Sequence, residues 1–547
     1  MKRHQVALAK VPDAAERRRV IESEPLPKNI ADLVSAAARV GGDKVLWNFF
    51  ESDETLSYAE LREKVFGLAA GLQSIGIKKG THVGVMLPNV AAMPLTWLAI
   101  GVLGAVMVPI NPGYRERELI YVLTDSETTF IITEQATLGS MTSAVAEGNI
   151  PIPQENIVVL GGGAANHHVL ETLMTADCMS LRLPEDVGHD DLLNIQYTSG
   201  TTGFPKGCML TQRYWLGAGK VNAFRDGRVY SRILASTPFF YMDPQWLLLM
   251  TMYQQGTLFV AVRQSGSRFM NWVRDYGIEF CLLPPITLKQ PKDPADQQNK
   301  IIRSNVYGIA PNLHREIEER FDLCAREAFG MTEVGPAMYM PIEAEDMVGS
   351  GSCGIPCPFR ECRVVDSDGR DVPTGTIGEL VIRGPGILKG YYNNPKATAA
   401  AFYGDWFRTG DLFRRDERGF FYIVGRVKET IRRAGENIAA REVEAVLLSF
   451  NLVMEAAAIP QKDETRGEEV RACIIWQDGV QPDRVLLQQL IEHCQKNLAS
   501  FKVPRFYTFP EALPKTSSGK IAKHRLVEEM ASKIERSFDR VTETWIS

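Results

Sequence analysis

Tyr197-Thr-Ser-Gly-Thr-Thr-Gly-Phe-Pro-Lys-Gly207 follows directly on Asp191-Leu-Leu-Asn-Ile-Gln196. The earlier segment, with Leu192, Leu193 and Ile195 in its middle, reads as a strand. The later one sets Gly200 and Gly203 among the hydroxyl residues Thr198, Ser199, Thr201 and Thr202 and ends on Lys206. Glycines let a backbone approach a ligand closely and present its N–H groups. The hydroxyls add donors and Lys206 adds positive charge, so the loop suits a polyphosphate. The GxxxxGK[ST] spacing is absent, which excludes a Walker A loop.

On either side of this loop, helix-like and strand-like segments alternate. Residues 59–75 and 116–124 are helical in pattern, and 83–87 and 129–133 read as strands. Such alternation predicts an α/β fold with mainly parallel sheets. The run 83–114 carries no charged residue, and 91–110 alone matches the length of a membrane span. Pro88, Pro94, Pro109, Gly101 and Gly104 interrupt it. It reads as a buried strand, helix (91–104) and strand (105–110), which points to a soluble, cytoplasmic protein. Residues 1–21 lack the apolar run of a signal peptide. With 61 basic and 66 acidic residues, the chain has no general attraction for nucleic acid or acidic membrane. Cys353, Cys357 and Cys362 lie close together without CxxC spacing or a neighbouring His and read as loop cysteines.

The pattern changes near Glu379. Short strands are expected at 378–383, 406–408 and 419–424, forming a β-rich part. Beyond it, helices at 441–449 and 485–498 and strands at 456–459 and 470–476 outline a compact α+β unit. The expected division is 1–426 for a large N-terminal domain of layered α/β subdomains plus the β-rich part, and 427–547 for a small mobile C-terminal domain.

The eleven-residue loop closely resembles the phosphate motif of the adenylate-forming superfamily, which includes acyl-CoA synthetases, luciferases and peptide-synthetase adenylation domains. Further segments resemble that family in the same order. They are Gly308-Ile-Ala-Pro311, Phe329-Gly-Met-Thr-Glu333, Arg408-Thr-Gly-Asp411, Gly425-Arg-Val-Lys-Glu-Thr-Ile431 with Gly435-Glu-Asn-Ile438, and Pro514-Lys-Thr-Ser-Ser-Gly-Lys520. Gly308 to Pro311 is poorer in glycine than is usual there, and Phe329 stands where Tyr is commoner.

The resemblance implies ATP, Mg²⁺ and coenzyme A as co-reactants. Thr198, Ser199, Gly200, Thr201, Thr202, Gly203 and Lys206 would cradle the phosphates. Gly308, Ala310, Pro311, Phe329, Gly330, Met331 and Thr332 would surround adenine, Asp411 would take the ribose hydroxyls, and Arg426 would fix ribose or phosphate. Glu333 with Thr198 would hold Mg²⁺, a hard cation that prefers oxygen ligands. Lys520 would hold the attacking carboxylate at the α-phosphate, where two anions must meet. Lys428 would be the hinge, and a swing about it would bring Gly435 in to line a thiol tunnel.

The family's acid pocket corresponds to the stretch holding Tyr241, Asp243, Gln245 and Trp246, with Gly308 opposite. Tyr241 replaces a His common there, and Asp243 and Gln245 are unusual for an alkyl pocket. Together with Gly435-Glu-Asn437 and Phe501-Lys-Val-Pro504, they resemble crotonobetaine/carnitine–CoA ligases and imply a short, polar acid. A helix-capping role for Asp243 is the alternative. A free-standing enzyme loading a carrier protein and a luciferase-like oxidase are the competing functions. Expected partners are the acid, ATP, coenzyme A, a second copy of the chain and an acetyltransferase acting on Lys520.

Overall fold

The computed structural model describes residues 11–162, 166–198, 205–307, 309, 311–433, 436–463, 466–480, 483–516, 519–531 and 537–546. Among them, two β-sheets and their helices make up the N-terminal part, and a third sheet makes up the C-terminal part.

The charge-free run is interior. His82–Met86 and Val106–Pro109 are adjacent parallel strands, and the helix Ala92–Val102 between them is buried at every position. A helix apolar on all sides must be covered on all sides. Here Tyr58–Ser74 and Ile30–Gly41 pack against it, and Trp97 meets Trp215 edge-on at 5.2 Å. Tyr58–Ser74 starts where Ser57 and Glu60 form a reciprocal capping box, the signature of a helix start. Among the described residues, no helix is long and apolar enough to cross a membrane.

The first sheet runs parallel from His168–Val169 through His82–Met86 to Leu192–Thr198, then closes with the antiparallel strand Lys206–Thr211. The second sheet has two characters. Phe280–Leu282, Arg303–Val306 and Cys324–Met331 are parallel neighbours. From Cys324–Met331 onward, through Gly335–Tyr339, Ser352–Pro356, Phe421–Arg426, Trp406–Arg415, Gly378–Arg383 and Glu361–Val365, every pairing is antiparallel. Cys324–Met331 is thus the seam between an α/β part and a β-rich part. Crevices at the carboxyl ends of parallel strands are where open α/β sheets bind ligands.

The C-terminal sheet contains Thr430–Arg433, Glu436–Ala439, Val453–Asp463 and Gly467–Trp476. It encloses its own core, in which Val443, Leu490, Ile474 and Tyr507 are fully buried. The helix Ala440–Leu448 leans on the strand Phe421–Arg426 of the neighbouring part. At this contact a Cβ on Gly425 would come within 3.0 Å of Ala439.

Candidate active site

Thr198 and Lys206 are register partners on neighbouring strands of the first sheet, at the two ends of the glycine- and hydroxyl-rich segment. Ser199, Gly200, Thr201, Thr202 and Gly203 of that segment lie outside the described residues, as do Gly308, Ala310 and Gly435. The ammonium of Lys206 lies 4.7 Å above the ring of Tyr391, and the Tyr391 hydroxyl donates to Glu333 Oε1 at 3.0 Å. Burial of the Cys208 thiol, two residues beyond Lys206, raises its proton affinity, and the nearby charge of Glu333 adds to the rise. Lys206, Tyr391 and Glu333 therefore meet at one point, with Thr198 beside it as the ladder partner of Lys206. Tyr391 is part of that point and escaped the sequence reading, because Gly390-Tyr-Tyr392 looks like an ordinary turn until its strand partners are known.

Glu333 lies two residues beyond the end of the seam strand Cys324–Met331. Burial pushes its carboxyl toward the protonated form, against the pull of Tyr391, Arg426 and Lys206. An ionised carboxylate so placed gains from a further cation. The Glu333 carboxylate and Thr198 hydroxyl fit a hard divalent ion that takes its remaining ligands from phosphate oxygens. Among the described residues, no cluster of three His, Cys, Asp or Glu side chains exists to hold a metal by itself.

Phe329 is partly buried and meets Phe413 edge-on at 5.0 Å. A Cβ on Gly330 would lie 2.7 Å from the carbonyl of Gly335, so a flat backbone surface beside Phe329 requires glycine. The carbonyl of Thr332 accepts from the buried Tyr214 hydroxyl at 2.9 Å. Met331 ends the seam strand, and Pro311 opens the helix Pro311–Phe321. Asp411 lies inside the long strand Trp406–Arg415, bulged where Gly410 adopts φ +70°. Its carboxyl is buried and pairs across the ladder with Arg426, Nε to Oδ1 2.9 Å. Burial raises its proton affinity, and Arg426 and Arg441 oppose the shift. Arg441 comes from the C-terminal part, a contribution the sequence did not reveal. Lys428 lies in the short turn Val427–Glu429, its side chain outside the described set.

The expected acid pocket is partly corrected. Gln245 is wholly buried, accepting from Asn194 Nδ2 at 3.1 Å and donating to the Phe239 carbonyl at 2.8 Å. With both ends of its amide occupied, it braces the pocket wall and presents nothing to a substrate. Asp243 does not cap its helix. The helix Met242–Gln254 starts after Tyr241 without a side-chain cap, and Asp243 sits in its first turn, accepting from Trp246 Nε1 at 3.1 Å. Its proton affinity is raised by burial and lowered by Trp246 and by the charge of Lys520. The loop lysine of the C-terminal part is thus near enough for its charge to act on Asp243. Tyr241 packs on Phe240 at 4.4 Å. Tyr307 also lies within the field of Asp243, its hydroxyl bonded to Asn305 at 3.3 Å. It precedes the glycine of a motif and so passed as spacer.

Residues 34–392 match the family model described as AMP-binding enzyme, and residues 442–520 match the AMP-binding enzyme C-terminal domain. The chain is 31% identical over 507 residues to a sulfoacetate–CoA ligase of Cupriavidus necator, covering 91% of this chain and 97% of that one. It is 30% identical over 525 residues to a crotonobetaine/carnitine–CoA ligase of Salmonella typhimurium, covering 91% and 99%. In fold it is similar to ATP-bound MatB from Rhodopseudomonas palustris, with TM-score 0.81 at 24% identity over 92% of this chain and 99% of that one. It is also similar to the anthranilate CoA ligase AuaEII in complex with anthranoyl-AMP, with TM-score 0.82 at 22% identity over 95% and 99%. With both family models matched in order along one chain, the protein belongs to the AMP-binding enzymes.

Proposed function

We propose that this enzyme joins a short, polar carboxylic acid to coenzyme A by way of an acyl-adenylate. It is an AMP-forming acid–CoA ligase. The acid attacks the α-phosphorus of ATP and displaces pyrophosphate, and the thiol of coenzyme A then displaces AMP from the acyl carbon. In the first step both reactants are anions, so their encounter needs fixed positive charge. Lys520 is assigned to the attacking carboxylate and the α-phosphate, and Lys206 to the terminal phosphates. Bound Mg²⁺ would neutralise phosphate charge, held by Glu333 and Thr198. Asp411 would accept from the ribose hydroxyls with Arg426 behind it, and Phe329 would offer its face to adenine. The second step needs Lys520 withdrawn, and we assign the hinge to 426–428, between the two independently cored parts.

Asp243 carries the assignment of a polar acid. A half-desolvated carboxylate is costly unless something polar meets it, and an acid bearing a cationic or hydroxyl group would do so. Comparison with the sulfoacetate and crotonobetaine/carnitine–CoA ligases supports a small polar substrate. Pyrophosphate release across a panel of carboxylic acids, with and without coenzyme A, tests the reading. Release of AMP and pyrophosphate with polar short acids, and thioester only when coenzyme A is present, is expected. Asp243→Asn should lower kcat/KM for the preferred polar acid by about 10-fold or more while leaving butyrate and hexanoate nearly unchanged. Equal losses on every acid would remove Asp243 from substrate recognition. The expected cytoplasmic location, homodimer and acetylation of Lys520 belong to the same reading. Acetylation would abolish the lysine charge, slowing pyrophosphate exchange and sparing transfer from preformed adenylate.

A further inference from the structure

Behind Glu333 lies a buried cation that the nucleotide chemistry does not use. Arg360 is 5% exposed, and all of its hydrogen bonds described here go to backbone carbonyls. Nε and Nη2 donate to Val334 O at 3.0 and 2.7 Å, Nη1 to Phe359 O at 3.0 Å and Pro385 O at 2.9 Å, and Nη2 to Gly386 O at 3.2 Å. A guanidinium has five N–H donors in a rigid fork and does not lose its charge, so it can staple several backbone segments at once. Such burial is costly without a counter-charge; the return is order in loops that regular pairing leaves unbonded.

Two of the stapled segments bear on Glu333. Val334 directly follows Glu333. The 384–388 segment returns to donate Leu388 N to Glu333 O at 2.8 Å and continues into Tyr391, whose hydroxyl holds Glu333 Oε1. The third segment is itself constrained. Phe359 sits at φ +63° and donates its N–H to Glu22 Oε1 at 2.7 Å, and Gly384 passes so close that a Cβ there would lie 2.0 Å from Phe359 O.

We propose that Arg360 is a positioning residue for the metal–nucleotide site, fixing the Glu333 carboxylate by clamping its loop to the segment that carries Tyr391. This rests on the assignment of Glu333 to Mg²⁺. The geometry of the fork matters as well as its charge, so lysine is not an adequate substitute.

The test compares wild type with R360K and R360M, using MgATP as the probe. The first readout is the rise in melting temperature caused by MgATP beyond that caused by ATP with chelator. The second is the Mg²⁺ concentration that half-saturates pyrophosphate exchange. In both variants the magnesium-dependent rise should largely vanish and the half-saturating Mg²⁺ should increase about 10-fold or more, as for removal of the support of a metal ligand. Transfer of acyl groups from preformed acyl-adenylate to coenzyme A should stay within about twofold of wild type, since the metal-requiring step is already past. R360K retains the charge and most of the bulk and carries the test if R360M does not fold. Guanidinium ion added to R360A, which opens onto a cavity of about 280 Å³ lined by Tyr214, Phe359 and Pro385, should recover part of the Mg²⁺ response. An unchanged Mg²⁺ response, or equal loss of both half-reactions, would overturn the proposal. Failure of wild type to exchange pyrophosphate would instead overturn the assignment of the site.

Discussion

Glu333 and Asp243 both keep a carboxyl group where burial raises its affinity for a proton. A carboxyl whose folded pKa exceeds its unfolded one binds more protons folded than unfolded between those two values. Stability must therefore fall as pH rises from the ordinary carboxylate range through the raised values, and stay lowered above them. Neutral isosteres escape this cost and still accept from Tyr391 and Trp246. Without ligand, Glu333→Gln and Asp243→Asn should each melt higher than wild type at about pH 8, the gap closing as the pH is lowered through the raised values into the ordinary carboxylate range. Melting curves across that range decide the matter; a gap that widens on acidification would contradict it. Glu333→Gln should at the same time slow pyrophosphate exchange by about 10²-fold or more. Stability given up at a working site is a common trade, and here two carboxylates make it separately measurable.

At the scale of elements, the decisive contact is that of the helix Ala440–Leu448 and the strand Glu436–Ala439 against the strand Phe421–Arg426. It brings Arg441 within the field of Asp411, and it depends on the missing side chain at Gly425. Gly425→Val would drive carbons into Ala439 at less than contact distance and hold the C-terminal part off. Overpacking of this kind costs about 1–3 kcal/mol. Adenylation should fall about 10-fold or more while the N-terminal part keeps its affinity for ATP, and protease should cut the 426–430 connection faster. Unchanged adenylation would mean that this contact is not needed for the first half-reaction. The capped helix Tyr58–Ser74 provides a contrast. Ser57→Ala should cost about 1 kcal/mol of stability and leave both half-reactions alone, as measured by melting and by kcat.

For the whole molecule, the separate core around Val443, Ile474 and Leu490 gives the C-terminal part its own cohesion. Calorimetry should resolve two transitions for the free enzyme, drawn together when MgATP and an acid bridge the parts, because a ligand that binds only the folded, closed form stabilises both. One transition, unaffected by ligand, would count against two independently cored parts. The proposed site spans this division. Of the residues assigned to it, Thr198, Lys206, Glu333 and Asp411 come from the larger part, and Lys520, with Arg441 near Asp411, from the smaller one. In this structure the charge of Lys520 acts on Asp243 across the division.

Much of this was legible in residue order alone. Glycine and hydroxyl spacing marked the proposed phosphate loop, whose residues 199–204 lie outside the described set. Charge-free 83–114 with its prolines gave a buried strand–helix–strand, and the strand Gly378–Arg383 came out with its ends in place, because burial patterns and turn residues are local signals. Local signals end where partners are distant in sequence. The tertiary structure alone decided that Tyr391 meets Glu333, that Gln245 turns inward to Asn194, that Arg441 approaches Asp411 and that Arg360 clamps the loop behind Glu333. A side chain's type fixes which bonds it can make; only the packing of segments tens to hundreds of residues apart fixes which of them it does make.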